Sequence, residues 1–62
     1  MSNSNLLGQW EELKVLVESL ELDVHKNANG NKSAGVRARK GLRLVKQKSA
    51  ELVKASLSVS KE

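Results

Sequence analysis

Sixty-two residues with no cysteine, no proline, one histidine and one tryptophan exclude a disulfide scaffold, offer nothing to build a zinc site, and speak against a β-rich fold. A chain of this length makes one small domain, residues 1–62, whose thin core would gain from a partner. The net charge of +4 is unevenly spread: residues 1–26 carry five acids and two lysines, residues 27–62 nine bases and two acids.

The chain opens on Met1-Ser2-Asn3-Ser4-Asn5, polar and uncharged, with no basic stretch leading into an apolar run. No secretory signal is readable there, and no apolar run reaches the ~20 residues that span a bilayer. The expectation is a soluble, cytoplasmic protein, in which the Asn31-Lys32-Ser33 glycosylation triplet arises by chance.

The first predicted element is a helix over about residues 5–27. Leu6, Trp10, Leu13, Val17, Leu20 and Val24 recur at steps of four and three, the spacing of a coiled-coil seam, with Leu16 widening it on one side. Ser4 or Asn5 can cap the start by accepting from the free N–H groups of the first turn. The acids Glu11, Glu12, Glu18, Glu21 and Asp23 decorate the flanks. Trp10 belongs to the seam and reads as core; with no second aromatic, stacking on single-stranded bases has little support. His25 stands near the helix end, where the dipole favours a cation, and no nucleophile or acid is placed to make it catalytic.

A joint over about 28–31 follows. Asn27-Ala28-Asn29-Gly30-Asn31 is the one strong turn signal in the interior, with Gly30 free to adopt a left-handed backbone. Gly30-Asn31-Lys32-Ser33 fails as a phosphate-binding loop, because Asn31 separates the glycine from the lysine and no strand precedes it.

The second predicted helix covers about 32–59, capped by Asn31 or Ser33. Its seam repeats the spacing with smaller residues: Ala38, Leu42, Val45, Ser49, Leu52, Ser56 and Val59. Gly35 and Gly41 weaken it by roughly 1 kcal/mol each relative to Ala, although small seam residues also permit a close helix approach. Arg39, Lys40, Arg43, Lys46 and Lys54 fall on the side away from the seam, Arg37 and Lys48 at its margin, and Lys32 in the first turn. Such a stripe can track a phosphate backbone or pair with the acids of the first helix; exposed pairs contribute about 0–1 kcal/mol each, and the bases outnumber the acids.

The expected fold is all-α: a two-helix, coiled-coil-like hairpin assembling as a four-helix-bundle homodimer or a higher homo-oligomer, the alternative being a marginally stable monomer. Val15, Leu22, Leu44 and Leu57 lie off the two seams, either as ordinary exposed aliphatics or as a second contact. The residues call for no enzyme, no cofactor, no metal and no small-molecule substrate. A membrane-surface role is disfavoured by a seam too narrow and serine-diluted for interfacial burial.

The stretch Gly30-Asn31-Lys32-Ser33-Ala34-Gly35-Val36-Arg37-Ala38-Arg39 resembles the Gly-Asn-Lys-x-Ala-x-x-Arg-x-Arg signature of bacterial histone-like proteins of the chlamydial linker-histone type. Over both helices the likeness is looser: an acidic, Leu-rich first helix and a basic second one. The resemblance implies a nucleoid-associated protein that binds and compacts chromosomal DNA, and it carries Lys32, Arg37 and Arg39 over as binding positions; Arg37 and Arg39 can alternatively serve folding at the turn by pairing with acids of the first helix. The helical wheel adds Lys40, Arg43 and Lys46. Longer members append a Lys/Ala/Pro-rich tail; this sequence has none before Lys61-Glu62, which implies weaker binding or bridging through an oligomer. The competing reading is a helical hairpin that docks a protein partner and binds no nucleic acid.

Overall fold

The computed structural model describes the backbone of residues 2–60 and the side chains of 5–59. Two helices, α1 (Ser2–Ala28) and α2 (Lys32–Ser60), pack antiparallel as a hairpin about 49 Å long and 14 × 11 Å across. Neither helix is long and apolar enough to cross a membrane. Because α1 begins at Ser2, Ser4 and Asn5 lie inside it and neither stands at the expected N-cap.

The joint is fixed by backbone chemistry. The Gly30 N–H donates to the Asn27 carbonyl at 2.9 Å and the Asn31 N–H to the Lys26 carbonyl at 3.0 Å. This pair of bonds is a Schellman motif, which requires a left-handed residue at its turning point. Gly30 supplies it, at φ 99°. Asn31 then starts the next helix: its Oδ1 accepts from the Ala34 N–H at 2.9 Å, so Asn31 rather than Ser33 is the cap. One residue thus ends one helix motif and begins the next, which forces the two rods side by side.

The core is thin and sits mainly toward the joint. Leu13, Leu20, Ala34 and Ala38 are its buried apolar side chains, with Gly35 and Gly41 buried among them. A Cβ on Gly41 would collide with the Leu20 side chain, and one on Gly35 would lie 2.5 Å from Asn27 Nδ2. The two glycines therefore do more than weaken α2. They let it approach α1 closely enough for Leu20 to pack against bare backbone.

This close approach selects the face of each helix that turns inward. On α1, Leu6, Leu13 and Leu20 point to α2 as expected, but Gln9, Leu16 and Asp23 accompany them. Trp10, Val17 and Val24 remain 45, 49 and 43% exposed. On α2, Ala38, Val45 and Leu52 turn inward with Gly41, while Leu42 stays 50% exposed. The intramolecular seam is rotated by a fraction of a turn from the stripe of largest apolar residues. Trp10, Val17, Val24 and Leu42, expected in a seam shared between core and dimer contact, thus lie on an uncovered apolar side of the single hairpin. Val15, Leu22, Leu44 and Leu57 are exposed as well.

Candidate nucleic-acid interface

The bases of α2 divide into two groups by the direction in which the helix presents them. Arg37 and Lys48 lie on the margin facing α1 and are engaged there. Arg37 Nε and Nη2 both donate to Asp23 Oδ1 at 3.1 Å, and Lys48 Nζ lies 3.7 Å from Glu12 Oε1. Asp23 is partly covered, its side chain 21% exposed, so Arg37 reads as a clasp between the helices close to the joint.

Lys32, Arg39, Lys40, Arg43, Lys46 and Lys54 lie on the solvent side of α2 and are all exposed. None of them forms an ion pair with an acid of the chain among the described residues. The lone acid in the body of α2 is Glu51. From Lys32 to Lys54 this stripe runs about 33 Å at 1.5 Å per residue, close to one turn of a DNA duplex at roughly 34–36 Å. Exposed cations spread over that length offer several separate points of contact to a polyanion.

The family model described as "Histone H1-like protein Hc1" matches residues 8–62. The chain belongs to the histone H1-like Hc1 family. That match takes in most of α1, the joint and all of α2, so the hairpin as a whole, and not the joint signature alone, carries the membership. It identifies a histone-like member of a DNA-binding, structural family rather than a family of enzymes. No curated protein and no solved structure matches the chain.

Within this Hc1-family hairpin, the three positions suggested by the signature have different surroundings. Lys32 is the first residue of α2, beside the cap. Arg39 is exposed on the outer stripe, with its Nη1 lying back toward Gly35. Arg37 pairs across the hairpin with Asp23. Lys54 continues the stripe eight residues beyond Lys46 and three past Glu51, and the helical wheel places it on the outer side from sequence. Pairing of the Arg-x-Arg bases with acids of the first helix is open from sequence; what sequence does not give is the partner of Arg37, since Asp23 lies 14 positions away and only the chain reversal brings it alongside.

Proposed function

We propose that this hairpin is a small nucleoid protein that binds duplex DNA through phosphate contacts, with little sequence preference. Lys32, Arg39, Lys40, Arg43, Lys46 and Lys54 make the contacts, while Arg37 mainly holds the hairpin. The observation that carries this reading is the exposed stripe of six bases along α2, interrupted by the one acid Glu51, in a histone-like chain. Contacts made to phosphates position a protein without reading bases, and nothing in the hairpin provides a helix presented end-on to a groove.

The test is fluorescence anisotropy of a labelled random-sequence duplex at several salt concentrations. If each protomer engages ~3–5 phosphates, the logarithm of the affinity falls against the logarithm of salt with a slope near −0.9 per phosphate. Competition by unrelated duplexes should be nearly equal. An affinity insensitive to salt, or no binding at low salt, refutes the reading.

A second reading is favoured by the apolar side left open by the hairpin: a module that docks a helical protein and binds no nucleic acid. Loss of all DNA binding at physiological salt together with a stable complex with another protein would support it. The two readings differ over the α2 stripe, which the docking module does not need.

A further inference from the structure

Closing the hairpin leaves one broad side apolar. Trp10, Val17 and Val24 recur every seven residues along α1, and Leu42, Ser49 and Ser56 do so along α2. Two shallow hollows lie on this side. One, of about 470 Å³, is lined by Trp10, Ser49, Leu52 and Ser56 among others; the second, of about 340 Å³, by Val17, Val24 and Leu42. The opposite side also has a hollow, of about 560 Å³ and lined by Val15, Leu16 and Ser19 among others, but it is bordered by the Arg37–Asp23 and Lys48–Glu12 pairs.

The rims of the apolar side are oppositely charged. Along α1 the rim holds Glu11, Glu18 and Glu21, with Lys14 held 3.3 Å from Glu11. Along α2 it holds Lys32, Arg39 and Lys46, again seven residues apart. A surface that is acidic along one edge and basic along the other is complementary to itself when one copy is turned so that the edges exchange.

We propose that a second copy of the chain covers this side, with α1 of each protomer lying over α2 of the other about a two-fold axis parallel to the helices. Charge selects this arrangement. The alternative face-to-face dimer, with α1 over α1, sets Glu18 and Glu21 against acids and Arg39 and Lys46 against bases. Shape agrees. Leu20 is level with Gly41 and Glu12 with Lys48, so Trp10 is level with residues 50 and 51. An axis parallel to the helices preserves those levels. Trp10 of each protomer then sits over the hollow that the small side chains of Ser49 and Ser56 leave on the other, and Glu21 lies level with the other protomer's Arg39 and Lys40.

The arrangement has a consequence that rests on the DNA-binding reading above. The two α2 helices become diagonal in the four-helix bundle, and Lys40, Arg43 and Lys54, which lie beyond the dimer rim, face opposite ways, with Lys32, Arg39 and Lys46 at the rim shared between the partner's acids and phosphate. One dimer then joins two duplexes instead of laying both stripes on one.

The experiment combines mass and cross-linking on the full chain. Sedimentation equilibrium should give a dimer. The chain has no cysteine, so single reporters are unambiguous: a mixture of Glu21→Cys and Arg39→Cys chains should oxidise to a mixed disulfide dimer. Glu21→Cys alone should cross-link poorly, because diagonal helices stand farther apart than a disulfide reaches. Glu21→Arg should weaken self-association about tenfold, since two rim pairs are reversed in each dimer. Adding Arg39→Glu should restore it, with helicity by circular dichroism verifying the fold of each variant. A monomer at every concentration, or efficient self-linking of Glu21→Cys, overturns the arrangement. Capture of a free labelled duplex by a bead-bound one tests the bridging separately: a cross-linked dimer that binds DNA but captures no second duplex overturns bridging alone, whereas DNA binding by a monomer overturns the interface and leaves the DNA reading standing.

Discussion

Leu20 of α1 packs directly against the backbone of Gly41 in α2, in the space that a Cβ at position 41 would occupy. In an exposed helix, Gly→Ala gains about 1 kcal/mol from propensity. Here the gain is opposed by a collision with a buried leucine, 8% exposed, and overpacking of that kind costs about 1–3 kcal/mol. Gly41→Ala should therefore lower stability. Gly8, also within a helix, has nothing within 4 Å of its would-be Cβ, so Gly8→Ala should raise stability by up to about 1 kcal/mol. Urea unfolding of both variants followed by circular dichroism checks the opposite signs; a gain from both would mean that α2 does not approach α1 at Gly41.

The joint makes a second pair of expectations. Asn31→Ala removes the acceptor for the Ala34 N–H and should cost about 1 kcal/mol, whereas Asn31→Asp, which keeps the acceptor, should be nearly neutral. Gly30→Ala places a Cβ on a backbone at φ 99° and should destabilise by about 1 kcal/mol or more through strain, although the space around it is open. Thermal unfolding distinguishes these cases. If Gly30→Ala were harmless, the Schellman geometry would not describe the joint.

These residues also show how much the sequence reveals. Gly30 and Asn31 are legible because their roles are local: a left-handed turn and a cap depend on neighbours a few positions away. The start of α1 is not legible, since it lies at Ser2, ahead of the expected Ser4 or Asn5 cap. The inward face of each helix is less legible, because α1 carries two overlapping apolar stripes that share Leu6, Leu13 and Leu20. Periodicity alone favours the stripe that adds Trp10, Val17 and Val24, since those side chains are the larger ones. The hairpin instead turns Gln9, Leu16 and Asp23 inward, because small residues at 34, 35, 38 and 41 reward close backbone approach and bulky ones do not fit there. The basic stripe is readable on the wheel, as is the option that Arg37 pairs with an acid of α1, whereas Asp23 as that acid requires the hairpin's register.

Arg37 and Arg43 should therefore separate in their effects. Arg37→Gln breaks a half-exposed pair with Asp23 and should lower stability by no more than about 1 kcal/mol, with DNA affinity little changed. Arg43→Gln should leave stability unchanged within about 0.5 kcal/mol, weaken DNA binding, and reduce the salt slope by about one phosphate's worth. Anisotropy and urea titrations on the same two proteins measure both quantities. Equal losses of affinity would place Arg37 in the DNA-contacting set as well.

Gln9 offers the last test of the rotated seam. It faces α2 between Leu6 and Leu13, and its Oε1 is buried without a hydrogen-bond partner among the described residues. An unpaired buried polar group costs about 1–3 kcal/mol, partly offset here because the residue is only half-buried. Gln9→Leu replaces that liability with apolar contact at similar volume and should stabilise the hairpin by about 1 kcal/mol. Were position 9 on the outside and Trp10 inside, the same change would leave stability within the range of a surface substitution, about 0.5 kcal/mol. The unfolding midpoint of Gln9→Leu thus reports which stripe of α1 faces α2.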